Sequence, residues 1–135
     1  LKELHMSAAN LVMQSYGRCC ASPDFFDSFY RHFLASSPLI REKFVDTDMS
    51  AQKQLLRQGI LNLVMHARGM PDTKLRALGE SHSRERLDIR PELYDLWLDA
   101  LLLTISEHDK ECDADVRQAW REVLNKGIAV IKAGY

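Results

Sequence analysis

Apolar residues recur at spacings of three and four along almost the whole chain, and no stretch alternates polar and apolar residues over several positions. The pattern puts one apolar stripe on each of a succession of helices and leaves no half-buried strand. The chain is therefore expected to be all-α, with six to seven helices. Its 135 residues suit one domain, 1–135, long enough to bury a single core. Four prolines and six glycines leave little room for long linkers.

The first expected helix aligns Leu4, Ala8, Leu11, Val12 and Ser15 and frays near Gly17. Ser22-Pro23-Asp24 reads as the N-cap, first-turn proline and first-turn acid of a second helix, rich in aromatics at Phe26, Phe29, Tyr30 and Phe33. Ser37-Pro38 repeats that start signal for a short helix ending near Phe44. After a polar corner, a long helix from Met49 to Arg68 lines up Gln52, Leu56, Gly59, Ile60, Leu63 and Ala67, and Gly69-Met70-Pro71 stops it. The next, from about Asp72, carries Leu75, Leu78 and His82 on one face and breaks in Ser83-Arg84-Glu85-Arg86. Pro91 opens a helix with Tyr94, Trp97, Leu98, Leu101 and Ile105 in line, followed by a loop from Glu107 to Glu111. The last helix begins between Asp113 and Asp115 and buries Val116, Trp120, Val123, Leu124, Gly127, Ile128 and Ile131.

Eighteen basic and nineteen acidic residues are interspersed, for a net charge of −1, which leaves no electrostatic footprint for nucleic acid or an anionic membrane. No apolar run is long enough to span a bilayer. The first residues show no secretory signal pattern and no initiator Met, so a few residues are expected to precede Leu1. Three cysteines, Cys19, Cys20 and Cys112, lack metal-ligand spacing. They read as structural thiols in a reducing compartment, which points to the cytoplasm.

Of five histidines, His82 shares a stripe with Leu75 and Leu78, whereas His5, His32, His66 and His108 read as surface residues. A neutral imidazole on an apolar face, in a chain without a zinc-binding cluster, suits an axial ligand to haem iron. A lone histidine so placed is more often a hydrogen-bonded core residue, so other segments have to decide. Ser28-Phe29-Tyr30-Arg31-His32-Phe33-Leu34 is followed by Ser37-Pro38-Leu39-Ile40-Arg41-Glu42-Lys43-Phe44. Leu78-Gly79-Glu80-Ser81-His82 is followed by Ile89-Arg90-Pro91-Glu92-Leu93-Tyr94. In this order the segments resemble the globin family over nearly the full chain, in particular bacterial single-domain haemoglobins and the globin module of flavohaemoglobins.

The resemblance implies a globin fold of six to eight helices in a three-over-three-like sandwich around a haem b pocket. It implies that His82 is the proximal iron ligand, Phe44 the residue wedged against the porphyrin, and Tyr94 the tyrosine near the proximal histidine. Tyr30 and Gln52 match the distal donors, and Leu56 the apolar residue above iron. Ile60, Leu78, Leu87, Ile89 and Leu98 are expected to complete the cofactor pocket. Read from the residues alone, the alternative for Tyr30 is a core tyrosine bonded to a backbone carbonyl and for Gln52 a surface residue near a helix start, with Gln54 a competitor for its place; the pocket reading is favoured for Tyr30.

The implied function is reversible binding of O2, and also of NO and CO, at a pentacoordinate iron for oxygen binding, storage or transport, or sensing. Bound O2 is a polarised acceptor, and each donor aimed at it contributes about 1.5–3 kcal/mol, or roughly ten- to a hundredfold in affinity. Two other functions are compatible: nitric oxide dioxygenation served by an external reductase, and a haem-free interaction domain. The last helix lacks the glutamate that bonds the proximal imidazole in flavohaemoglobins, its place falling at Tyr135. Glu80 or a backbone carbonyl is then expected to orient His82, and strongly oxidising chemistry is disfavoured. A monomer or a homodimer is expected.

Overall fold

Helices start where something satisfies their first free backbone N–H groups, and among the described residues four of the seven starts use a side chain. The computed structural model describes residues 7–135. Ser7 accepts from the Asn10 N–H to open α1 (Ala8–Cys20), and Ser37 accepts from the Leu39 N–H ahead of Pro38 to open α3 (Pro38–Lys43). Asp48 accepts from the N–H groups of Ser50 and Ala51 at the start of α4 (Met49–Ala67). Asp113 does the same for Val116 at the start of α7 (Ala114–Ala133).

The remaining helices, α2 (Phe25–Ala35), α5 (Thr73–Ser81) and α6 (Leu93–His108), begin without a side-chain cap. Here sequence and structure part. Ser22 is not the cap of α2: its hydroxyl lies 2.7 Å from His108 Nδ1, and the Phe25 N–H donates to the Ser22 carbonyl, a turn that delays the helix to Phe25. Pro91 opens not the helix but a tight turn, in which Leu93, Tyr94 and Asp95 donate to the carbonyls three residues back. Helix α1 runs straight through Gly17, because the stripe continues into buried Tyr16 and Cys19. Leu4 and His5 lie outside the described residues. Glu107 and His108 belong to α6, so the loop starts at Asp109.

Two layers result, with α1, α4 and α5 lying across α2, α6 and α7. The heaviest packing is α1 on α7, α2 on α6, and both α4 and α5 on α7. The core runs through fully buried Phe25, Phe29, Ile60, Leu101, Ile105, Trp120 and Leu124. No described helix is long and apolar enough to cross a membrane. The three cysteines are free: Cys19 is buried, its thiol pushed up to about 12 chiefly by burial, while Cys20 is exposed and Cys112 half-buried.

One polar network holds the end of the bundle away from His82. Buried Asp109 accepts from the Ser15 hydroxyl at 2.6 Å, from the Arg18 guanidinium and from the Glu111 N–H, while Trp120 Nε1 donates to Ser15 at 2.9 Å. This joins α1, the α6–α7 corner and α7. His108, expected at the surface, is half-buried against Phe25 and bonded to both Ser22 and Ser28. His32 and His66, also expected at the surface, are likewise half-buried.

Burial alone would raise the Asp109 pKa, but the hydrogen bonds from Arg18 and Ser15 outweigh it and hold the carboxyl below its ordinary value. A depressed folded-state pKa contributes stability that is present above the unfolded carboxyl value of about 3.9 and is lost as pH falls through the folded value. Asp109→Ala is therefore expected to cost about 1–3 kcal/mol at pH 7 in urea unfolding. The variant should also lose less stability than the parent when the pH is lowered below about 4.

Candidate functional site

Helices α4 and α5 both pack on α7 but meet each other only marginally, and the space between them is a cavity of about 690 Å³. Its walls are mostly apolar: Phe33, Ile40, Phe44, Leu56, Leu63, Leu75, Leu93, Trp97, Ile128 and Ile131. Three large apolar side chains on its lining, Leu55, Leu78 and Leu87, are 64%, 36% and 58% exposed, too much apolar surface in one place for water to be the natural neighbour.

On the α5–α6 wall stands His82, the residue that ends α5. Its N–H donates to the Leu78 carbonyl at 3.0 Å and its carbonyl accepts from the Ile89 N–H at 3.0 Å, so the backbone is pinned on both sides. Its Nδ1 lies 2.8 Å from the Tyr94 hydroxyl, and Nε2 has no hydrogen-bond partner among the described residues. Burial pushes the His82 pKa down, favouring the neutral ring, and pushes the Tyr94 phenol up to about 12. With Nδ1 protonated, Nε2 keeps its lone pair available for a metal. The orienting group is thus Tyr94 and neither Glu80, which is exposed and makes no such bond, nor a backbone carbonyl.

The loop after His82 is closed on itself. Leu87 donates to the Ser81 carbonyl and Asp88 to the Ser83 carbonyl, with Asp88 in the left-handed region at φ 52° that aspartate tolerates. Tyr135 Oη donates to Asp88 Oδ1 at 2.6 Å, and the Arg84 guanidinium lies over the Tyr135 ring at 4.9 Å. The end of the chain is thereby tied to the loop that delivers Leu87 and Ile89 to the cavity.

Helices α2 and α4 supply the second polar element. Tyr30 is buried, packs edge-on against Phe44, and its hydroxyl donates to the Gln52 carbonyl at 3.3 Å. Burial pushes its pKa up to about 12, so the hydroxyl keeps its proton. A bond of 3.3 Å is weak for O–H···O, and the proton is available to a better acceptor. Gln52 lines the cavity and exposed Gln54 does not.

The cavity thus gathers Tyr30, Phe44, Gln52, Leu56, Leu78, His82, Leu87, Ile89 and Tyr94 from the residues singled out in the sequence. Ile60 and Leu98 are not on its lining; both are buried in the helix-packing core. The sequence reading missed Leu55, Gly59 and Asn62 on α4 and Lys74, Ala77 and Ser81 on α5. Each trio has helical spacing; Gly59 was read as a stripe residue and not as cavity lining, and the other five lie beside the stripes that the periodicity picked out.

The globin family profile matches residues 27–131. The chain belongs to the globin family. A solved structure from Pseudomonas aeruginosa PAO1, described as structurally highly homologous to a human haemoglobin, is 73% identical. It covers 96% of this chain and 98% of its own, with a TM-score of 0.94. No curated protein sequence matches the chain. The seven helices thus have the globin arrangement. Globins imply a haem, and the residues fit one. The cavity is within the roughly 300–1,000 Å³ usual for cofactor sites. It is walled by apolar side chains and carries a neutral imidazole with a free ring nitrogen.

The wall bearing His82 leans on a close approach at Gly79, where a Cβ would come within 2.8 Å of the Ile131 backbone carbonyl oxygen. Backbone cannot yield as a side-chain tip does. Gly79→Ala is expected to cost about 1–3 kcal/mol in urea unfolding. It should also speed hydrogen exchange of the amides from 82 to 89, the loop that follows α5.

Proposed function

We propose that this globin binds one haem b through His82 Nε2 and reversibly takes up a diatomic gas, O2 foremost, with NO and CO as further ligands. The carrying observation is an imidazole whose Nδ1 is held by Tyr94, set on the wall of a large apolar cavity with its other nitrogen free. Haem b, when bound, would be held by His82 and would supply an iron able to take up a gas.

The chain's own groups then divide the work. Phe44, Leu56, Leu78, Leu87 and Ile89 exclude water and cover the ring faces, which accounts for apolar side chains that are otherwise exposed. Lys43 and Lys74 on the lining offer cations to the haem carboxylates. The Tyr30 hydroxyl and the Gln52 amide donate to a polarised gas ligand, slowing its release more than its entry. Carbon monoxide, less polarised, gains less from them.

A haem-free interaction domain would use exposed leucines, but it has no need of a cavity of about 690 Å³ that carries a neutral imidazole with one ring nitrogen free. Nitric oxide dioxygenation calls for a more strongly donating proximal ligand than a histidine bonded to a phenol, and an external reductase besides. The free thiols support a cytoplasmic setting.

His82→Ala is expected to lose most of its haem on reconstitution and desalting, read from the absorbance of the cofactor against protein. A fully loaded variant with the parent spectrum would reject the ligand. Tyr30→Phe is expected to release O2 about tenfold faster or more, measured by stopped-flow displacement with CO. An unchanged rate would remove Tyr30 from the gas site.

A further inference from the structure

We propose that Cys20 is a site of reversible oxidation by hydroperoxides, at which the buried Tyr16 hydroxyl receives the oxygen added to sulfur. The inference stands apart from the haem reading.

Tyr16 is 5% exposed, and its hydroxyl is buried with no hydrogen-bond partner among the described residues. Its ring is fixed edge-on against Phe25 and Trp120, with centroids 6.3 and 6.1 Å away. A donor buried in this way costs stability until something accepts from it. One turn further along α1, on the face that the i+4 position shares, stands Cys20. Burial pushes the Tyr16 phenol up, the neighbouring Cys20 sulfur pushes it further, and Arg57 pulls it down. The hydroxyl thus meets a sulfur, which accepts hydrogen bonds only weakly. Arg57 brings a positive charge to this corner from α4, its guanidinium over the Phe26 ring at 4.9 Å.

The three thiols are not equivalent. Cys19 is buried, because successive helix positions do not face each other, and Cys112 is half-buried; Cys20 is exposed. An exposed thiol beside a fixed O–H donor and a cation has the surroundings in which cysteines react. The Cys20 sulfur attacks one oxygen of hydrogen peroxide; the S–O bond forms as the O–O bond breaks, and the departing hydroxide takes the thiol proton and leaves as water. Sulfur is oxidised by two electrons and the peroxide reduced by two, so that thiol and H2O2 become sulfenic acid and water. The new oxygen accepts from the Tyr16 hydroxyl, a bond that the reduced form lacks, and this slows a second oxidation. A small thiol condenses with the sulfenic acid to a mixed disulfide and water, and exchange with a second thiol frees Cys20 again.

The test treats the reduced full chain with hydrogen peroxide under CO, which caps any ferrous haem iron present. Sulfenic acid is trapped with a cyclic 1,3-diketone and located by peptide mass spectrometry. The adduct is expected on Cys20 and not on Cys19 or Cys112. Equal labelling of the three, no labelling of Cys20, or an intrachain disulfide in its place overturns the proposal, and this readout needs no variant. Tyr16→Phe keeps the ring and its packing. In it the sulfenic acid should pass to sulfinic acid about fivefold faster than in the parent, the factor that one hydrogen bond supplies. In the reduced state this variant should be as stable as the parent or more so in urea unfolding. Equal lifetimes, or a less stable reduced variant, would show that the hydroxyl serves the fold and not the oxidised thiol.

Discussion

The approach of α7 to both α4 and α5 is the constraint on which the rest of the structure depends. At Gly127 a Cβ would collide with the side chains of Leu63 on α4 and Leu75 on α5, and at Gly79 it would strike the α7 backbone. Because these two helices are fastened to a third, they need not fasten to each other. A cavity of about 690 Å³ stays open between them with apolar walls. Close packing on one side maintains the space on the other.

The two polar elements of that space are built differently. His82 ends a helix, and its backbone is bonded fore and aft, its ring bonded to Tyr94 and the loop behind it tied to Tyr135. Tyr30 is held mainly by the shape of its aromatic neighbours, with one long hydrogen bond to the Gln52 carbonyl. On the proposed reading, this gives a fixed metal ligand and a hydroxyl free to turn toward an incoming acceptor.

Most of the helical framework was legible because periodicity and caps agree locally: Ser37-Pro38 and Asp113 start helices as they read. Ser22-Pro23-Asp24 carries the same signal and misleads, because Ser22 spends its hydroxyl on His108, 86 residues away, and no local rule sees such a partner. The same long-range contacts left His108 half-buried. His82, Tyr30 and Gln52 stood out by type and by resemblance. The bond from Tyr94 to His82 did not, because it depends on how α5 and α6 sit relative to each other. Ile60 and Leu98 share stripes with cavity residues but face helices, a difference of about one helical step that spacing alone does not resolve.

The central claim is one haem per chain, ligated by one histidine, that takes up and gives back a gas. It is tested most directly by titrating the apoprotein with haem to its endpoint and recording the ferrous spectrum under argon, then O2, then argon again. The account predicts saturation at one haem per chain, a five-coordinate spectrum under argon, a distinct oxygenated spectrum, and return to the first. Titration without an endpoint, or a ferrous spectrum indifferent to O2, would contradict it.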